Sequence, residues 1–267
     1  MQISPPKHLA SYIKHYIFME NSEENIMKLR LFTDGNTGLI LSANINLKDL
    51  SGDQLPLSFF YGQLTQYKDL VTNGSFSLMA VVFQPYFLNI LLKISAKEIQ
   101  NQIISVEDVL KNEMQIFQEK LFYKTDPKLI INDLNIYFTK FLSKIINSDY
   151  ELIQATQHYI IQNKGIVTSK NLEHFTGYSE RQIERKFQNY IGLSPKKYSN
   201  IARLHYFLSL MKTNNNEENI TGLSYKAGYT DQSHLIKEFK NSIGLTPSEY
   251  LKTENKLAVN FIELHSK

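Results

Sequence analysis

The chain has no cysteine among its 267 residues. That removes disulfides, thiolate-bound zinc and cysteine nucleophiles, and it fits a reducing cytoplasm. Long apolar runs are missing as well: no stretch approaches the roughly 18 uninterrupted apolar residues of a membrane span, so no membrane association is expected. The opening residues, MQISPPKHLASYIKHY, hold neither a long apolar run nor a small-residue cleavage site, and no secretory leader is expected. The seven histidines show no metal spacing. No Ser-His-Asp signature, paired-carboxylate site or phosphate-binding glycine loop stands out, so no catalytic residue, metal or cofactor is assigned and an enzyme is not expected.

Neither sign of charge dominates, with a net of +3, but the distribution is uneven. Residues 1–150 hold 14 Lys+Arg against 15 Asp+Glu, whereas residues 151–267 hold 15 against 11. The C-terminal part is therefore the basic one, as a phosphate-binding surface requires. Hydrophobic residues make up 42% of the chain, and the length suits about two domains, each with its own core.

The N-terminal half reads as mixed. Apolar, β-rich runs lie at Lys28–Thr33, Gly38–Asn46, Leu57–Tyr61 and Phe76–Phe83, punctuated by Gly, Asn and Asp. Asp34–Gly35 between two such runs predicts a hairpin. Beyond Phe83 the period changes. Pro85 suits the start of a helix over Tyr86–Lys93, and Ser105 opens another over Val106–Phe122. Asp126–Pro127 starts a long helix to about Asn147, with Ile130, Leu134, Tyr137, Phe141 and Ile145 on one stripe and Phe138, Leu142 and Ile146 widening it. Core packing is the simplest use of that stripe; a homodimer seam is the alternative. Ser148-x-x-Glu151 is a capping box for a further helix, and the domain boundary is placed near residue 147.

A repeat dominates the C-terminal part. YSERQIERKFQNYIGLSPKKY from Tyr178 and YTDQSHLIKEFKNSIGLTPSEY from Tyr229 share F-x-N-x-I-G-L-[ST]-P-x-x-Y, and each follows a short helical stretch ending in Gly-Tyr. A helix, a glycine turn and a second helix opening on Ser or Thr is the pattern of a helix-turn-helix. In the first copy (about 168–190), Thr168 caps a helix that turns Leu172 and Phe175 inward, Gly177 turns, and Ser179-x-x-Gln182 opens the recognition helix with Ile183 and Phe187 buried. Its exposed N-terminal positions are Glu180, Arg181, Gln182, Glu184 and Arg185. In the second copy (about 220–243), Asn219 or Thr221 begins the first helix, Gly228 turns, and Thr230 caps a helix burying Leu235 and Phe239. That helix exposes Gln232, Ser233, His234, Ile236 and Lys237. Arg grips guanine and Gln grips adenine with paired hydrogen bonds, whereas an isolated Arg181 or Arg185 on a solvated helix would simply pair with Glu180 or Glu184. Repetition of the motif favours base reading.

Between the copies a helix of about Pro195–Lys212 carries Tyr198, Ile201, Leu204, Leu208 and Met211. At ~1.5 Å per residue it spans about 27 Å, suited to holding two recognition helices about one DNA turn (~34 Å) apart. The helix starts at Ser179 and Thr230, with Lys186, Lys196, Lys197 and Lys240, are candidate phosphate contacts. The expected fold is thus an α+β N-terminal domain over 1–147, a small twisted β-sheet or barrel plus helices, followed over 148–267 by an all-α domain of two helix-turn-helix motifs joined by a long helix.

About Asp149 to Leu251 resembles the AraC/XylS transcriptional regulators, most specifically GYTDQSHLIKEFKNSIGLTPSEY at Gly228–Tyr250. The resemblance implies a cytoplasmic regulator of double-stranded DNA, with base-reading positions on Arg181, Glu184 and Arg185 and on Gln232, Ser233 and Lys237, and RNA polymerase as a further partner. Glu184 departs from a basic groove residue, and Gly222 lies within a helix. Leu31–Ile40, Tyr61–Gly62, Val81–Tyr86 and Ile103–Leu110 resemble, more weakly, the small domain that precedes the motif pair in some members, which implies effector sensing or dimerisation. The effector class, small molecule or protein, stays open. Asp34, Tyr61, Gln84 and Tyr86 are pocket candidates, but they fit turn, strand and helix-start positions, so no ligand residue is assigned. A rival class is an enzyme fused to a DNA-binding module; alkyl-transfer repair proteins carry similar helix pairs but need a nucleophilic cysteine.

Overall fold

The computed structural model describes all residues except 23, 43, 111–114, 124–125, 145–148, 215–217, 254–255, 259 and 265–267. Its β-rich half contains β1 (Gln2–Ile3), β2 (Ile13–Asn21), β3 (Ile26–Leu31), β4 (Thr37–Ser42), β5 (Leu47–Asp49), β6 (Phe59–Tyr61), β7 (Lys68–Asn73), β8 (Phe76–Phe83), α1 (Phe87–Leu92), β9 (Ile103–Ser105), α2 (Val106–Val109), α3 (Gln115–Phe122) and α4 (Pro127–Leu142). The helical half runs α5 (Asp149–Gln162), α6 (Ser169–Thr176), α7 (Glu180–Tyr190), α8 (Pro195–Thr213), α9 (Ile220–Lys226), α10 (Gln232–Ile243) and α11 (Pro247–Leu251). Two strands then follow, β10 (Lys256–Ala258) and β11 (Phe261–Leu264). The class is α+β, with a β-rich N-terminal part ahead of a helical one. Among the described residues no helix is long and apolar enough to cross a membrane.

Two antiparallel sheets face each other, one in the order β1-β2-β8-β4-β6-β9 and one in the order β10-β11-β3-β7-β5. Strand β8 shows why both its faces are apolar. Leu78, Ala80 and Val82 point between the sheets with Ile17, Leu29, Phe59 and Leu70, whereas Met79, Val81 and Phe83 point outward onto the helices. A strand covered on both sides reads as a continuous apolar run rather than an alternating one. Phe83 meets Phe87 at 5.0 Å and Phe138 at 5.8 Å between ring centres, edge to face, which docks α1 and α4 on the outer face. Ile130, Ile131, Leu134 and Phe138 are the buried side of α4, while Tyr137 and Phe141 are partly buried. Ile145, Ile146 and the expected boundary and cap at 147–148 lie outside the described residues.

The same core continues without a break into the first helix-turn-helix: Ile153, Ile160, Leu172, Ile183 and Phe187 belong to the cluster that holds Val81 and Phe138. The second helix-turn-helix has its own core, of Leu204, Phe207, Met211, Leu223, Leu235, Phe239 and Ile243, and it takes Phe32 from the β-rich half and Ile262 from β11.

Three expectations are corrected. Asp34–Gly35 does not make a hairpin. It carries the chain from β3 in one sheet to β4 in the other, because Phe32 leaves the sheet to fill the second helix-turn-helix core and Gly35 turns the chain at φ 73°. The Asn36 amide then donates to the Asp34 carboxylate at 3.0 Å, an Asx turn. The single helix expected over Val106–Phe122 is two helices, since Leu110 leaves helical geometry at φ −127°. Phe175, expected to face inward, is 44% exposed and stacks instead on Tyr159 with ring centres 4.3 Å apart. Strands β1, β2, β5, β7, β9, β10 and β11 are additions that local pattern did not bring out.

Candidate nucleic-acid interface

Both helix pairs are built by the local chemistry expected of them. Thr168 and Asn171 form a capping box at α6, and Gly177 ends it at φ 72°. Ser179 and Gln182 form the box that opens α7, with the Gln182 side-chain oxygen accepting from the Ser179 amide at 3.0 Å. Gln182 is exposed, but its acceptor end is engaged in holding the helix start. Asn219 caps α9, accepting from Gly222 at 2.8 Å, and Gly228 turns the chain at φ 79°. A Cβ on Gly222 would stand 2.7 Å from the Glu218 carboxylate, the end of a flexible side chain that can move aside.

The cap of the second recognition helix is corrected. Asp231, not Thr230, occupies that position, in extended geometry, and its carboxylate accepts from the His234 amide at 2.8 Å. A carboxylate both satisfies a free amide and complements the positive end of the helix, so it outcompetes a threonine one residue earlier. Thr230 is left exposed ahead of the helix.

Along α7, Ile183 and Phe187 are buried while Arg181, Gln182 and Arg185 are exposed. Neither arginine makes an ion pair among the described residues. Glu180 is instead tied to α6, accepting from the Ser169 hydroxyl at 2.6 Å, and Glu184 is half-buried and accepts from Gln188 at 3.3 Å. The two guanidinium groups are thus presented to solvent while the neighbouring carboxylates are drawn aside. Along α10, Leu235 and Phe239 are buried and Gln232, Ser233, His234 and Lys237 are exposed. Gln232 accepts from the Thr221 hydroxyl at 3.2 Å, Ile236 is half-buried, and His234 lies 3.8 Å from Glu238.

Of the phosphate candidates, Lys196, Lys197 and Lys240 are exposed, and the Lys186 ammonium lies over the Tyr178 ring at 5.7 Å. Ser194 caps α8 by accepting from the Lys197 amide at 3.1 Å. Lys197 and Lys237 line one groove together with Asn200 of α8, Asn241 of α10 and Thr65 and Gln66 of the β-rich half. Partial burial there lowers the Lys197 pKa.

The connecting helix α8 has 19 residues, about 28 Å at ~1.5 Å each. Tyr198, Ile201, Leu204, Phe207 and Met211 are its buried side, with Leu208 partly buried. Phe207 was missed from the expected stripe, although its place three residues after Leu204 was a helix-period signal. Also missed was Arg203, which pairs with Glu238 of α10 at 3.2 Å and packs over the Tyr229 ring.

A second feature lies between the two halves. A cleft of about 820 Å³ is lined by Lys14, Asp34, Gln84 and Tyr86 on one side and Glu151, Gln154, His158, Lys164 and His205 on the other. Three of the residues left unassigned by sequence, Asp34, Gln84 and Tyr86, meet there; the fourth, Tyr61, borders a separate apolar space of about 70 Å³ between the sheets. Burial lowers the His205 pKa, with the Asp34 charge opposing.

Residues 172–253 match a family described as a helix-turn-helix domain, and residues 1–105 match a domain of unknown function, DUF6597. An HTH-type transcriptional regulator of Haemophilus influenzae is 32% identical over 75 residues, covering 28% of this chain and 24% of that protein. The HTH-type transcriptional regulator YidL of Escherichia coli is 30% identical over 145 residues, covering 49% and 48%. The chain thus spans less than half the length of either relative. Among solved structures, ToxT from Vibrio cholerae is similar at 12% identity and a TM-score of 0.48, covering 91% of this chain and 97% of that one. A probable AraC family regulator from Rhodopseudomonas palustris is similar at 25% identity and a TM-score of 0.36, covering 38% and 95%. Residues 172–253 thus carry a helix-turn-helix domain.

Proposed function

We propose that this protein is a sequence-specific DNA-binding transcriptional regulator that reads two successive major-groove segments. The observation that carries the reading is the double presentation: α7 and α10 each bury Ile/Leu and Phe and expose the polar N-terminal turns that a recognition helix lays on base edges. Arg181, Arg185, Gln232, Ser233 and Lys237 are the base readers, with Glu184 accepting from a cytosine amino group and Gln182 acting mainly as a helix opener. Lys186, Lys196, Lys197 and Lys240, with the helix starts at Ser179 and Thr230, hold phosphates.

The β-rich half modulates this activity through a small molecule held in the cleft between the halves. Its volume of about 820 Å³ falls within the ~300–1,000 Å³ of ligand sites, whereas the roughly 70 Å³ between the sheets does not. A second reading, a protein partner or a second copy on α3 and α4, is favoured by exposed Ile116, Leu129 and Ile136.

The test is binding of the purified protein to its own upstream region and to scrambled duplex across a salt series. Preference for the upstream region, with log K falling against log salt at a slope of about −3 or steeper for four lysine contacts, is the expected result. Equal, weak binding at every salt concentration overturns the reading.

A further inference from the structure

The two repeats end at equivalent points: Asn189, Ile191 and Gly192 of the first correspond to Asn241, Ile243 and Gly244 of the second. The structure shows the β-rich half gripping both ends. At the first, the Asn189 carbonyl accepts from the Ala96 amide at 2.8 Å and from the Asn89 side chain at 3.3 Å, and the Gly192 carbonyl accepts from the Gln100 side-chain amide. At the second, the Ser242 carbonyl accepts from the Thr33 amide at 3.4 Å, and the Arg30 guanidinium donates to the carbonyls of Ile243 at 3.3 Å and Gly244 at 3.0 Å. Gly192 and Gly244 are therefore held by side chains from the same half of the molecule, at the same position of each repeat.

Arg30 is fixed for this task. Its other nitrogens meet both Asp69 oxygens at 2.5 and 2.6 Å, and its guanidinium lies over the Tyr67 ring at 4.2 Å. The last carbonyls of a helix lack partners within it and carry its negative end, so a cation is the fitting donor. The β-rich half also lies directly against both glycines. A Cβ on Gly192 would stand 2.6 Å from the Ala96 carbonyl oxygen, and one on Gly244 would stand 2.7 Å from the Tyr67 ring. Helix closure needs glycine at these positions for its left-handed φ of 82° and 77°; docking needs it a second time for space.

We infer that the β-rich half is a second brace between the recognition helices, with Arg30 and Gln100 as positioning residues that set which spacing of half-sites the protein accepts. Helix α8 joins the two motifs by packing into both of their cores. Anchoring the C-terminal end of each recognition helix to one sandwich adds a second constraint on how the two helices are spaced. Spacing selectivity then belongs to residues that touch no DNA. This rests on the DNA-reading assignment above.

The experiment uses the full chain. Duplexes enriched from a random pool by the unaltered protein are footprinted, then remade with one base pair added or removed between the two protected segments. The unaltered protein is expected to lose about tenfold or more in affinity on either change, the order of one mismatched base pair. Gln100→Ala and Arg30→Gln together are expected to cut that loss to about threefold or less while leaving base preference within each segment as it was. Gln100→Ala, which removes one half-buried side-chain amide and leaves both cores intact, is measured by itself as well, with circular dichroism melts, and is expected to relax the penalty part of the way. An undiminished spacing penalty in a folded Gln100→Ala protein overturns the inference and leaves the DNA-reading assignment standing. Failure of the unaltered protein to enrich any duplex overturns both.

Discussion

Arg203 on the connecting helix and Glu238 on the second recognition helix form an ion pair at 3.2 Å, with both side chains less than one-fifth exposed. The Arg203 guanidinium also lies 4.4 Å from the centre of the Tyr229 ring, and the Tyr229 hydroxyl donates to Glu238. Burial raises the Glu238 pKa, and the arginine opposes that shift. Replacing Glu238 with Ala leaves the guanidinium buried without its counter-charge, an expected loss of about 3–5 kcal/mol. Urea denaturation measures it; a loss below about 1 kcal/mol would show that water already satisfies Arg203.

The start of the second recognition helix separates two neighbouring residues. Asp231→Ala removes the acceptor for the His234 amide and is expected to cost about 1 kcal/mol. Thr230→Ala removes no cap and is expected to leave the melting midpoint where it was. The reverse order would restore Thr230 as the cap.

Arg185→Ala is expected to cost about 1–3 kcal/mol at one base step and to relax selectivity there. Lys197→Ala should weaken all duplexes alike and lower the salt slope by about 1. Competition binding against single-base variants of the enriched site separates the two. An Arg185→Ala protein with the same base preference would mean that α7 enters the groove in another register.

Acid should destabilise the fold through two buried imidazoles. The His15 pKa is lowered from 6.5 to about 4, chiefly by burial and then by Lys14, with the Asp34 charge opposing. Its Nε2 has no hydrogen-bond partner among the described residues. Burial lowers the His205 pKa too. Between about pH 4 and 6.5 the unfolded chain holds a proton on His15 that the folded chain does not. Stability is therefore fully present above pH 6.5 and falls as the pH drops towards 4, by about 3 kcal/mol for His15. Chemical denaturation at pH 7 and pH 5 reads it, and His15→Asn should flatten the difference. An unchanged pH dependence in that variant would assign the acid sensitivity to other groups.

Much of the candidate interface was legible before the structure. Caps at Thr168, Ser179 and Asn219, turns at Gly177 and Gly228 and buried positions at Ile183, Phe187, Leu235 and Phe239 all depend on residues within four of one another, and local pattern reports such relations directly. The exception, Asp231 for Thr230, is a competition between adjacent acceptors that pattern alone does not rank. The β-rich half was less legible. Strand β2 mixes buried His15 and Tyr16 with exposed Lys14, so no clean alternation marks it. Asp34–Gly35 reads as a hairpin because the turn chemistry is right, yet the strands on either side pair with other partners.

By itself, the sequence determined two helix-turn-helix motifs with their helix starts and ends, because 3.6-residue periodicity, capping and glycine turns are short-range physics. Tertiary structure decided what the halves do to each other. Phe32 and Ile262 lie far apart in the chain yet complete one core, β11 pairs with β3 from the opposite end of the sequence, and Arg30 closes the last turn of α10. Those contacts join residues separated by more than 200 positions, where no local propensity acts and only the packed arrangement of both halves selects the partner.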